Sequence, residues 1–339
     1  MKTAHLVALG CVGLSLGGIG GLVATGMLKP YWPQTTMAPA PPAATTPELK
    51  SESSALPEED PAYAAFDQGQ YLTALKLAEE AAAHDDPEAH TLVGRIYAEG
   101  LGVPKDEGTA ARWYAKAAEL GDLQGMVALG KMLAEGRGVS KDMNLAAEMF
   151  EKAAATGDPV ANYNLGLLFL RGSGKPENPY RAAQHIRYAA ERGVAAAQYD
   201  LAALYLEGNG VPNDALEAAK WSSKAAAQGL PAAQYDYAVM LLQGRGLTAD
   251  EGKFVTYLQS AADKGVAGAQ NRLGHLYAEG VGVEANPIEA AKWRYIAKAG
   301  GIVDDKLDLF VAALPDKDRT KAEAAATEWR ERREVMALP

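Results

Sequence analysis

Cysteine is almost absent, with Cys11 alone in 339 residues. One thiol cannot close an intrachain disulfide or supply a multi-cysteine metal site, so cysteine usage leaves the redox compartment unread. Positive charge is short as well: 33 Lys+Arg face 43 Asp+Glu, for a formal net charge of −10 and a pI near 5.1. Nucleic-acid binding needs a basic surface that releases counterions, and this balance argues against such a partner. Histidine is sparse, and His5, His84, His90, His185 and His275 show no metal-ligand spacing; they read as surface or packing residues. Gly13-Leu14-Ser15-Leu16-Gly17 spells a nucleophile-elbow string, but inside an apolar run without strand-turn-helix context. The stretch from Gly172 to Lys175, GSGK, lacks the rest of a phosphate loop. No catalytic residue, metal or cofactor is nominated, and the chain is expected not to be an enzyme.

Charge is also missing from Leu6 to Leu28, 23 residues that follow Lys2 and precede Lys29, Tyr31 and Trp32. As a helix this run rises about 35 Å, enough for a hydrocarbon core of roughly 30 Å, and the flank resembles the interfacial end of a spanning helix. Residues 1–29 are therefore expected to be a single-pass anchor. A cleaved signal peptide, with Ala24-Thr25-Gly26 as its small-x-small site, is the alternative. Gly13, Gly17 and Gly21 fall at four-residue spacing, which would permit anchor-mediated self-association. Residues 30–60 hold most of the eight prolines found between Pro30 and Pro61, among Ala, Thr, Ser and Glu, and read as an extended linker.

What the sequence has in abundance is repetition at a period of 36 residues. Gly100, Gly136, Gly172, Gly208, Gly244 and Gly280 align, as do Gly102, Gly138, Gly174, Gly210, Gly246 and Gly282. A third column reads Asp106, Asp142, Asn178, Asp214, Asp250 and Asn286, and a fourth runs from Gly121 through Gly157, Gly193, Gly229 and Gly265 to Gly301. Within each unit an apolar spacing such as Ala197, Leu201, Leu204 and Tyr205 marks one face of a helix. Gly208 suits the left-handed residue that ends that helix, and Asp214 suits the N-cap of a second one. Small residues at Gly94, Gly130, Gly166, Ala202, Ala238 and Gly274 would let another helix approach closely, while Trp113, Met149, His185, Trp221, Tyr257 and Trp293 supply bulk. One helix pair cannot bury such faces alone, so six units must stack from residue 86 to 301. Residues 61–85 read as a capping half-unit and residues 302–339 as capping helices. The GSGK loop of the third unit and the Phe254-Val255 pair of the fifth depart from the pattern.

The pattern A-x-x-x-L-G-x-x-Y-x-x-G-x-G-V-x-x-D, followed by A-A-x-W and K-A-A-x-x-G, resembles the Sel-one-like repeat family, the longer relative of tetratricopeptide repeats. That resemblance implies an all-α, right-handed α-solenoid and a non-enzymatic scaffold or adaptor that binds a protein or peptide, in envelope signalling or assembly. With the anchor, the expected setting is the inner membrane with the repeats in the periplasm. An envelope protein that acts on or binds cell-wall material, and a plain structural spacer, are the competing readings.

The first helices of units three to five differ from the rest on the side opposite the core spacing. They carry Tyr163, Leu167 and Leu170, then Tyr199, Ala203 and Leu206, then Tyr235, Val239 and Leu242. The same columns hold Thr91, Arg95 and Ala98 in unit one, Val127, Lys131 and Ala134 in unit two, and Asn271, His275 and Ala278 in unit six. This stripe is the candidate partner site, with Asn164, Asp200 and Asp236 beside the tyrosines as hydrogen-bonding groups for an extended peptide; packing between adjacent units is the competing role. The anchor reading has a direct check. Membrane fractionation with intact-mass measurement is expected to recover the chain with Leu6 to Leu28 still attached; a mature protein beginning at Met27 contradicts it.

Overall fold

The structure, a computed structural model, describes residues 60–336. The anchor, its glycines and nearly all of the linker lie outside the described residues. Among those described there are sixteen helices and no strand. A capping pair comes first, α1 (Pro61–Asp67) and α2 (Tyr71–Ala82). Six pairs follow: α3 (Pro87–Glu99) with α4 (Glu107–Glu119), α5 (Leu123–Glu135) with α6 (Met143–Ala155), and α7 (Pro159–Arg171) with α8 (Pro179–Glu191). Then come α9 (Ala195–Glu207) with α10 (Ala215–Ala227), α11 (Pro231–Gln243) with α12 (Glu251–Asp263), and α13 (Ala267–Glu279) with α14 (Pro287–Ala299). The C-terminal helices are α15 (Asp305–Ala312) and α16 (Asp316–Met336). From α1 to α14 each helix packs chiefly on its neighbours in sequence, the arrangement of a solenoid.

The glycine and capping columns act as the turn chemistry requires. All six first helices end on a left-handed glycine, from Gly100 at φ 74° to Gly280 at φ 69°. All six second helices start on a side chain that accepts from their first-turn amides, as Asp214 does from Leu216 and Glu217. The turn between units is also left-handed, at φ 92° for Gly157 and φ 90° for Gly193. One period before Gly121, Asp85 makes the same turn at φ 60° without being glycine. The departures leave this frame intact. Lys175 replaces the loop Val of the third unit and reaches Glu151 of the preceding unit at 2.7 Å, and Phe254 is buried among the residues of its own pair.

In the loops of units two to five the second glycine does more than turn. A Cβ on Gly138, Gly174, Gly210 or Gly246 would fall 2.1, 2.0, 2.0 or 1.8 Å from the carbonyl oxygen of the first residue of the preceding unit's second helix. Backbone therefore lies directly on backbone at these unit boundaries. Inside each pair the small column seats a large partner: an added Cβ on Gly94, Gly130 or Gly166 would meet Tyr114, Phe150 or Ile186 at 2.8, 2.7 or 2.6 Å. These partners sit one residue beyond the expected bulky column. Of that column Met149, Trp221 and Trp293 are buried, and Trp113, His185 and Tyr257 are half-buried.

At the C-terminal end an ion pair takes over from apolar packing. Arg294, 1% exposed, stands where other units place Tyr114 or Phe150, and its guanidinium grips Asp308 of α15 at 2.8 and 2.9 Å. Asp304 caps α15 and accepts from Asn271 at 2.7 Å, with His275 Nε2 at 2.6 Å. Partial burial opposes its charge, but the bonds from Asn271, the Leu307 amide and His275 hold its pKa down at about 2. Helix α16 lies along α14, with Trp329 edge-on to Trp293 and the Arg333 guanidinium at Gly265.

The glycine columns predict two different outcomes for one substitution. Gly174→Ala, where the new methyl meets backbone, is expected to lower unfolding free energy by about 3 kcal/mol or more. Gly193→Ala has the same left-handed penalty but nothing within 4 Å of its Cβ, and is expected to cost only about 1 kcal/mol in urea unfolding.

Candidate partner-binding face

The first helices of consecutive units stand abreast, close enough to exchange hydrogen bonds. The Tyr163 hydroxyl of α7 donates to Asp200 of α9 at 2.8 Å, and Tyr199 of α9 donates to Asp236 of α11 at 2.7 Å. Both carboxylates are largely enclosed, and burial raises their pKa values despite the tyrosine hydrogen bonds, aided at Asp200 by the Arg171 charge. Burial first, and the Asp200 charge second, push the Tyr163 hydroxyl upward, which keeps it protonated and donating. The tyrosines and aspartates read as peptide-facing groups thus bind one another across unit boundaries. Asn164 turns back to the Val160 carbonyl at 2.8 Å.

The rings share in packing as well. Tyr163 packs on the cluster around Ile186 and Leu201, Tyr199 on Ala225, Ala226 and Ala233, and Tyr235 on the cluster around Leu258 and Leu273. Tyr235 also borders Gly268 of the next unit, whose added Cβ would lie 3.2 Å from the ring. Leu170 and Leu206 are half-buried against core clusters. Leu167 and Val239 are half-buried outside every buried cluster, and Leu242 is 41% exposed. Within this stripe the accessible apolar side chains are therefore Leu167, Val239 and Leu242, with half-buried Ala203 at the Leu167 position of unit four. Arg95 and Lys131 occupy the Leu167 position in units one and two, and His275 occupies it in unit six.

A second polar row went unread in the sequence. Gln198, Gln234 and Gln270 are buried, and each donates its amide to a carbonyl of the preceding second helix: Ala190 at 3.0 Å, Ala226 at 3.2 Å and Ala262 at 3.0 Å. Asn162 holds the same position in unit three; its Oδ1 accepts from His185 Nδ1 at 2.9 Å, and its amide donates to the Asp158 carbonyl at 2.8 Å. The column of Asn and Gln at fixed period was visible, yet an amide on a helix face reads as solvent-facing until its register with the neighbouring unit is known. No group of three His, Cys, Asp or Glu side chains that could hold a metal ion occurs among the described residues. No helix among them is long and apolar enough to cross a membrane.

Helix pairs of one length, capped at both ends and aligned face to face, define an α-solenoid repeat protein. The Sel1 repeat model matches residues 87–122, 123–158, 159–194, 195–230, 231–266 and 267–301, and the chain belongs to the Sel1 repeat family. Proteins of this family generally mediate protein–protein interaction, and the fold is typically a non-catalytic scaffold. Among solved structures, a Sel1 repeat protein from Oxalobacter formigenes is 30% identical with a TM-score of 0.62, over 70% of this chain and 94% of that one. A protective antigen of uropathogenic Escherichia coli strains displaying an SLR fold is 27% identical with a TM-score of 0.51, over 77% of this chain and 64% of the other. No curated protein matches the sequence.

The tyrosine–aspartate ties carry a pH signature. Both carboxylates have folded pKa values above the ordinary one, so folding disfavours their charge. The resulting cost is absent below the unfolded value, about 4, and appears as pH rises through the folded value. Asp200→Asn keeps an oxygen for the Tyr163 hydroxyl and removes the charge. It is expected to raise Tm at pH 7, with the gain disappearing near pH 3; a lower Tm at pH 7 contradicts this balance.

Proposed function

We propose that this chain is a membrane-anchored scaffold that captures a protein or peptide partner on the first-helix face of units three to five. The observation that carries the proposal is the change of character along one column of the first helices: Leu167, Ala203 and Val239 occupy it in units three to five, with exposed Leu242 one turn on, while Arg95, Lys131 and His275 occupy it in the flanking units. Stacked helix pairs present such a face as an extended surface, and a contiguous apolar patch bordered by polar residues is the usual mark of an interaction site. The anchor comes from Leu6 to Leu28 and the flank Lys29, Tyr31 and Trp32, which also support an inner-membrane setting with the repeats in the periplasm. Envelope signalling or assembly is the role that follows.

Because the tyrosine rings also fill the space between units, changing them would mix binding with folding. The informative variant is Leu167→Ser/Val239→Ser/Leu242→Ser, which leaves the ties and buried clusters in place. Its capture of partner from solubilised envelope is expected to fall at least about ten-fold, with the thermal transition kept. Unchanged capture rejects this face; binding to purified cell-wall material that survives the triple change favours the cell-wall reading.

A further inference from the structure

We infer that one exposed flank of α8, in unit three, is a second docking surface, which takes an extended acidic segment of a partner protein on the guanidinium groups of Arg181 and Arg192. This surface is distinct from the first-helix face, with which it shares no residue. In a chain of net charge −10, residues 159–194 carry five cations, Arg171, Lys175, Arg181, Arg187 and Arg192, against two carboxylates, Glu177 and Glu191. No other unit has so large an excess. Arg181, His185, Tyr188 and Arg192 follow one another at i, i+4, i+7 and i+11, and so form one stripe along the helix. Both ends of the stripe are exposed, and among the described residues neither arginine is paired with a carboxylate. The other cations nearby are engaged: Lys175 pairs with Glu151 at 2.7 Å, and Arg187 donates to the Tyr205 hydroxyl at 3.0 Å.

Rings hold the stripe in place. Arg181 lies over the Phe169 ring at 5.8 Å, and His185 stacks on the same ring at 5.7 Å. Arg192 lies over the Tyr188 ring at 3.4 Å, and the Tyr188 hydroxyl donates to the Gly157 carbonyl at 3.2 Å. A guanidinium seated on a ring keeps most of its five N–H donors for a carboxylate, and less side-chain freedom is lost when one binds. Burial first, and the Arg181 charge second, lower the His185 pKa, so at pH 7 the positive charge of the stripe sits at its two ends. Those ends are separated by a rise of about 16 Å along the helix, which an extended segment spans in about five residues. Tyr180, 64% exposed, stands beside Arg181 and offers a ring to an apolar side chain of that segment. Tyrosine and arginine are the side chains in which binding energy concentrates. Unit five also has cations at both end positions, but Lys253 pairs with Asp250 at 3.2 Å and Lys264 donates to the Gly229 carbonyl at 2.7 Å. Glu151, whose charge reaches His185, and Glu191 beside Arg192 would repel a broad anionic lipid surface, so the narrow stripe favours a single acidic chain.

The test uses full-length protein in phosphatidylcholine nanodiscs and a fluorescein-labelled peptide with two glutamates about five residues apart, read by fluorescence anisotropy. The peptide is expected to bind, more weakly as salt is added, and its glutamine counterpart is expected not to bind. Arg181→Gln/Arg192→Gln is expected to weaken binding at least about ten-fold with the thermal transition kept. Arg112→Gln/Arg245→Gln removes as much charge from units one and five and is expected to leave the affinity within about two-fold. Leu167→Ser/Val239→Ser/Leu242→Ser is expected to bind the peptide unchanged, which separates this surface from the first-helix face. No binding, equal binding of the glutamine peptide, or equal weakening by the two arginine pairs overturns the inference, the second of these whatever the stability of the variants. Loss of binding in the triple serine variant assigns the peptide to the first-helix face and overturns it too. Capture of phosphatidylserine vesicles that depends on Arg181 and Arg192, while the peptide fails to bind, makes the occupant a lipid surface and overturns the peptide assignment.

Discussion

The contact on which the stack depends is a glycine Cα pressed against a carbonyl oxygen. At Gly138, Gly174, Gly210 and Gly246 the loop of one unit lies on the first residue of the preceding unit's second helix with no room for a side chain. This contact fixes how far each unit is set from the last, and hence the register of everything that crosses the boundary. The first helices stand abreast because of it. Tyr163 reaches Asp200, and Gln198 reaches Ala190, only at that offset. From unit two to unit five the repeated glycine repeats the weld, and the helices between welds keep one length.

Between the welds the chain varies what it packs. Where the small column is glycine, the facing residue is Tyr114, Phe150 or Ile186; where it is Ala202, the second helix of the same unit has the small Ser222 at the matching position. At Gly274 the exchange goes further, since Arg294 holds the matching position and Leu307 of the cap fills the gap. A buried cation is costly alone, and the bidentate grip of Asp308 makes it tolerable while tying α15 to the last unit. The end of the stack is thus specified by charge where its middle is specified by volume.

Legibility in the sequence followed locality. Gly208 and Asp214 could be assigned because left-handed turns and N-caps are decided within a few residues, and both act as read. The helix pairs and their sixfold repetition were legible for the same reason. The Tyr163 to Asp200 tie was not, although both residues were singled out. Their meeting depends on the offset between units, which no single unit encodes. The Gln198 row was missed on the same account, and the bulky column was read one residue early because Trp113 and Tyr114 are both large. The apolar residues of units three to five were legible as a stripe, and the structure divides them into inter-unit packing at the tyrosines and accessible surface at Leu167, Val239 and Leu242.

A face assembled from stacked units has a shape only while the units stay joined, so the proposed binding rests on cooperative stacking rather than on any one pair. Native-state hydrogen exchange across a denaturant series measures that coupling helix by helix. The account predicts one shared opening free energy for the amides of α5 to α12, with lower values only toward α1 and α16. Separate openings for individual helix pairs would contradict it.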